Sequence, residues 1–333
     1  MAAMRRWDPV AGRRGALRGL GAGLALLAGC GIELRDVAPG MSEAPRAPRA
    51  DFLVPAATVT GGFTLAPAPA IGLRQPPPGP FLPLISPVAA AARGSDLYLV
   101  DAGHSAVFHY DLLRQTLRRF LSLGGQPGVR LCVLEDQTLL VLEPFQRRLT
   151  RLTREGVPLA QLHHATLLAG ALDLAFDDAS GTAWLNDATG ARLVSVRPAL
   201  NALIPVPLPL QAGEAVAQVT AIAAGPDALY VLDATRRRVL RLDESGRVLQ
   251  AFGEQELKLP RSLAVDRYRR VYVAEAQRVQ VYFDGRPLVA PAARELGAAE
   301  IRDLRIHGND LAIADGLGAR VHLFRVLPPG RGS

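Results

Sequence analysis

The sequence predicts an all-β fold, a six-bladed β-propeller of four-stranded antiparallel blades, and three observations carry that prediction. An apolar-rich run ending in an acid recurs six times, closing on Asp101, Glu143, Asp187, Asp233, Glu275 and Asp315. These acids stand 42, 44, 46, 42 and 40 residues apart, a spacing that gives each unit room for four short strands and no long helix. An arginine follows at a fixed offset: Arg148, Arg192, Arg238 and Arg320 lie five residues after their acids, and Arg278 lies three after Glu275. Ala106 takes that slot in the first copy. Acid-glycine turns such as Glu155-Gly156 and Asp284-Gly285 then close the third-to-fourth strand hairpins.

Taken in order, the chain starts with a basic stretch followed by a short apolar one. Residues 1–29 read as a secretory signal peptide, since the apolar part is too short to span a bilayer. Its end, Leu27-Ala28-Gly29-Cys30, resembles the bacterial lipobox at all four positions. That resemblance implies cleavage before Cys30 and acylation of its thiol and amine. Gly31 stands where inner-membrane retention is usually signalled by Asp, so the expectation is an exported protein, anchored in the outer membrane through the Cys30 lipid and facing the periplasm. Residues 30–50 are the lipidated flexible tether. Residues 51–83 hold a closing strand and a Pro-rich lead-in, and residues 84–328 hold the propeller.

The repeat resembles the NHL family of β-propellers over roughly residues 84–326. The best matches are Leu263-Ala264-Val265-Asp266, Val271-Tyr272-Val273-Ala274-Glu275 and Arg278-Val279-Gln280-Val281. The resemblance is informative about fold and not about function, because such propellers include binding scaffolds, lyases and lactonases. The register also poses an accounting problem. Copies one to five supply four strands each, but the sixth runs from its third strand into Pro328-Pro329 and the terminus. Prolines cannot serve as a regular ladder strand. The missing strand must come from before residue 80, with 52–54 or 63–65 as candidates to pair with residues 321–324.

Composition narrows the chemistry. Of the formal net charge of +7, five arginines against Asp8 place four units in residues 1–29, so nucleic-acid binding is not expected of the exported part. No nucleophile elbow, His-Glu-x-x-His or Cys-x-x-Cys occurs. The six histidines fall in different slots of the repeat and predict no metal ring, and no cofactor is expected. Cys132 reads as a buried, inert strand thiol. The repeated acids read as local partners of their own turns and arginines rather than as a metal ring.

The place a propeller offers for binding is the mouth of its central channel, lined by the starts of the innermost strands. Alignment on Ser262 puts Val88, Arg130, Asp173, Thr220, Ser262 and Arg302 or Asp303 in that column. Arg130 and Arg302 could hold an anion, or Asp173 and Asp303 a cation; the favoured reading is that the mixed charges neutralise one another around a water-filled channel. The reading is an envelope lipoprotein whose propeller is a non-catalytic binding or scaffolding module for an envelope protein partner. The alternatives are a periplasmic small-ligand sensor and a lactonase- or lyase-type enzyme with a metal at the channel mouth.

Overall fold

A computed structural model of the chain describes residues 50–65, 78–187, 192–208 and 218–329. The lipobox and the tether up to residue 49 lie outside the described residues. Six sheets form the blades of a ring. The innermost strands are Pro87–Arg93, Arg130–Val133, Ala171–Asp177, Val219–Ala224, Ser262–Val265 and Ile301–His307. All run the same way through the disc. Their starts define an entry face and their ends an exit face, and the turns between second and third strands return to the entry face. Apolar side chains of facing blades interlock into six buried clusters around the ring, each shared across a blade boundary or within a blade. The one helical element among the described residues is a 3-10 turn, Ala293–Leu296.

The strand missing from blade six is Leu53–Val59, which pairs antiparallel with Arg320–Val326 from Leu53↔Val326 to Val59↔Val321. The sequence tolerates this placement for a specific reason. Pro55 interrupts the pattern, but the segment is an edge strand, and a register shift between Pro55 and Ala57 absorbs the missing donor. Only the two ends of the strand are buried. Leu53 packs with Val279, Ile301 and Val326 on the side of blade five, and Val59 packs with Leu99, Phe108 and Val321 on the side of blade one. Latching therefore seals both boundaries of the last blade. Phe52 extends the seal: the Arg270 guanidinium lies 4.2 Å from its ring centroid, and the Leu327 N–H donates to its carbonyl at 2.8 Å.

The second candidate, residues 63–65, does something the sequence did not announce. Gly61–Leu65 forms a hairpin with Pro78–Pro83 and adds it to blade one, which becomes six-stranded. The contact is short and parallel, Phe63↔Thr116 and Thr64↔Leu117. Gly61 and Gly62 allow the abrupt passage from blade six to blade one. A Cβ on Gly61 would lie 2.4 Å from the Leu82 carbonyl, and one on Gly62 would lie 2.8 Å from Leu117 and Tyr110. The prolines of Pro78–Pro83 then blunt the outer edge of the enlarged sheet.

Two truncations test the latch. Deleting residues 31–48 should leave the melting temperature unchanged. Deleting 31–59 removes the burial of Leu53 and Val59, each worth about 1.5–3 kcal/mol, and should lower the melting temperature sharply. Equal stability of the two proteins would contradict the closure described here.

Candidate functional site

The repeated acids shape the entry face. Each ends a second strand, and the carboxylates of Asp101, Glu275 and Asp315 reach the chain entering the innermost strand of the same blade. Asp101 accepts from the Ile85 and Ser86 N–H groups at 2.8 and 3.1 Å, Glu275 from Lys258 and Leu259 at 2.6 and 2.7 Å, and Asp315 from Ala299 and Glu300 at 2.9 and 3.0 Å. They also cap their own turns, with Gly103 N–H on Asp101 at 2.9 Å and Gly318 N–H on Asp315 at 2.8 Å. The predicted arginine partners are in place: Arg148 grips Glu143 with two bonds of 2.6 Å, and Arg192 lies 2.7 Å from Asp187. Burial opposes ionisation of Asp315, but the N–H groups of Ala299, Glu300 and Gly318 outweigh it and hold its pKa below the ordinary value. Burial likewise opposes ionisation of Glu275, and the Leu259 N–H, Arg278 and the Lys258 N–H hold its pKa down. Both groups stabilise the fold at neutral pH, and that contribution is lost as pH falls through their depressed pKa values.

The predicted column of channel residues divides into two groups. Register shifts at the first residues of four innermost strands mark Val88, Asp173, Thr220 and Arg302 as lying at bulges. Of the column, Asp173, Ser262 and Asp303 are buried and hydrogen-bonded. The Ser262 hydroxyl donates to Asp303 at 2.6 Å, and Asp173 accepts from the Ile222 N–H at 3.0 Å. Thr220 is half-buried, its hydroxyl 3.4 Å from the Leu232 carbonyl. Arg130 and Arg302 remain at the mouth.

Sequence reasoning missed the residue that organises this network. Arg305, from the middle of the innermost strand of blade six, crosses the axis to blade three. Its guanidinium pairs with Asp173, donates to the Leu174 carbonyl at 3.1 Å and lies 3.4 Å from Asp303. Burial works against its charge, and the two carboxylates overcome that and push its pKa further up. Asn186 extends the stitching, accepting from the Asp173 N–H at 2.6 Å and donating to the Val219 carbonyl at 2.7 Å. The channel waist beside Arg305 is reduced to a cavity of about 40 Å³, walled by Leu131, Cys132, Leu174, Ile222 and Leu263. Burial pushes the Cys132 thiol up to about 12, so it is protonated and inert. Burial, with Arg93 and Arg305 nearby, pushes His307 down to about 3, so it is neutral.

Above this plug a larger cavity, of about 430 Å³, opens on the entry face. Val88, Val100, Leu123 and Pro127 line one part of it, and Arg130, Arg261 and Arg302 another. Arg261 was not among the expected residues, because it precedes the strand rather than starting it. Among the described residues, no three His, Cys, Asp or Glu side chains gather so as to hold a metal ion.

No protein-family model and no curated protein matches the chain. Solved structures do. Virginiamycin B lyase from Staphylococcus aureus superposes with a TM-score of 0.55 at 13% identity, over 73% of this chain and 95% of that one. A structural-genomics protein of unknown function from Bacteroides thetaiotaomicron gives a TM-score of 0.57 at 12% identity, over 73% and 70%. The WD40 β-propeller domain of Doa1 gives 0.50 at 11%, over 72% and 93%. At these identities the likeness establishes a β-propeller and nothing about activity.

Replacing Arg305 tests the plug. Arg305→Met leaves Asp173 and Asp303 buried without their shared cation, and should cost about 3–5 kcal/mol in urea unfolding. Adding Asp173→Asn and Asp303→Asn to that variant should recover most of the loss. A single change that costs under about 1 kcal/mol would mean that the network does not hold the axis.

Proposed function

We propose that the chain is a cell-envelope lipoprotein, anchored in the outer membrane through Cys30 and facing the periplasm, whose NHL-like propeller is a non-catalytic module that binds an envelope protein. The observation that carries the binding half is a set of apolar tips on the clamped loops of the entry face. Loops on the entry face expose Ile85, Phe145, Leu259 and Leu317, the last three about three-quarters exposed. On the exit face, the first-to-second strand turns hold no exposed large apolar side chain among the described residues, whereas the outer third-to-fourth strand turns expose Leu113, Val157 and Phe283. The first-to-second strand turns are polar, as in Arg93-Gly94-Ser95 and Asp177-Asp178-Ala179-Ser180-Gly181. Apolar tips held out on rigid, carboxylate-clamped loops are unfavourable in water and suit a partner that covers them.

The anchoring half rests on the lipobox and on where the latch begins. A fold that takes hold at Leu53 leaves residues 31–49 as a spacer between the lipid and the disc. The latch strand is the outermost strand of blade six. The small-ligand sensor reading has one observation in its favour, the entry-face cavity.

Crosslinking in cells tests the proposal. Wild-type protein should fractionate with membranes, carry palmitate label and capture a discrete partner. Cys30→Ser should lose the label and leave the membrane pellet. The pair Phe145→Ser and Leu317→Ser should keep the label and the melting temperature but lose the partner. Label retained in Cys30→Ser would overturn the anchor, and a partner retained by the double variant would overturn the docking face.

A further inference from the structure

The geometry points to a carboxylate-binding site in the entry-face cavity. We propose that it takes a single carboxylate carried on a small apolar body, held by Arg261, Arg302 and Arg130. The proposal rests on the binding-module reading and names the chemistry that the module recognises.

Charge is the first argument. Arg130, Arg261, Arg302 and Arg305 stand against three carboxylates, Asp173, Asp303 and Glu300, which leaves one positive charge in the network. The acids lie behind the cations. Side-chain exposure is 2% for Asp173 and 16% for Glu300, against 28%, 37% and 49% for Arg130, Arg261 and Arg302. An entering ligand therefore meets guanidinium groups before any carboxylate. One surplus charge suits a monoanion better than a phosphate dianion.

Geometry is the second. Glu300 holds two arginines at once, Arg261 on one oxygen at 2.7 Å and Arg302 on the other at 3.1 Å. Its own backbone N–H is tied to Asp315 at 3.0 Å, so this double clamp is built on the fixed loop described above. Each guanidinium has five N–H donors, and one contact to Glu300 leaves most of them available. Arg130 is held more loosely, 3.7 Å from Asp173, and can turn toward the cavity.

The wall supplies the third argument. Val88, Leu123 and Pro127 form an apolar lining beside the arginines. Gln126 lies in the same lining, and its amide oxygen is buried with no hydrogen-bond partner among the described residues. Its amide can turn over so that the NH₂ group donates instead, a change that a carboxylate in the cavity would favour. About 430 Å³ accommodates one or two apolar residues or a short organic acid.

Titration calorimetry on the purified protein tests the site with four probes: N-acetyl-leucyl-leucine, its C-terminal amide, hexanoate and inorganic phosphate. The free-acid peptide should bind, and the amide should bind at least about tenfold more weakly, because a charge-assisted pair is lost. Arg302→Gln and Arg261→Gln should each weaken the acid about tenfold without changing the melting temperature. Hexanoate matching the peptide would identify a free small acid as the ligand, and peptide binding alone would identify a chain terminus. Equal binding of acid and amide, tighter binding of phosphate, or no binding by any probe would overturn the site. The binding-module reading fails separately, because its partner is assayed in cells through Phe145 and Leu317 with the arginines intact.

Discussion

A ring of blades is stable only if its last blade is complete, and here that depends on seven residues from the far end of the sequence. Strand Leu53–Val59 supplies the hydrogen-bonding edge that Arg320–Val326 lacks. It also places one apolar side chain in each of the two cores flanking blade six. An open ring would leave those cores wet and a strand edge bare, and each blade packs only on its neighbours, so the loss would spread to both sides. Closure makes the disc rigid, and the rigidity gives the entry-face loops fixed positions. The carboxylates at the ends of the second strands clamp those loops only because the strands themselves do not move.

The axis is closed in a different way. Five of the six blades contribute to a polar network: Arg130, Asp173 with Asn186, the backbone at Val219 and Ile222, Ser262, and Asp303 with Arg305. Blade one offers Val88 in the same column. The asymmetry has a consequence for binding. Buried charges are costly unless paired, so Asp173 and Asp303 are committed to Arg305 and do not face a ligand. What remains open to solvent at the mouth is the excess of arginine on the side of blades two, five and six, beside the apolar wall of blade one.

Much of the architecture was legible because its signals are local. The acid and arginine recur since each turn needs the same backbone groups satisfied, and that repetition sets the period. The latch was legible by counting strands against the prolines at 328 and 329. The hairpin on blade one was not, because Pro78–Pro83 carries little strand pattern and is held by edge pairing and by the ring contact of Phe63 with Phe81, whose centroids lie 5.5 Å apart. Arg305 was missed because its partner is 132 residues away and no spacing rule links them. A faint signal existed. Arg305 interrupts the apolar part of its strand, between Leu304 and Ile306, and it follows Asp303 by two. The bulge at Arg302 then decides which of that residue and Asp303 faces the mouth, and bulges leave no mark in an ungapped register.

The account stands or falls on the latch, and amide hydrogen exchange measures it directly in the intact protein. Amides of Leu53–Val59 that face Arg320–Val326 should be protected, and should lose protection together with that strand as denaturant is raised, as members of one cooperative unit. Exchange of residues 53–59 at the rate of residues 31–48, with Arg320–Val326 still protected, would show that the ring is closed without them and would contradict the central claim.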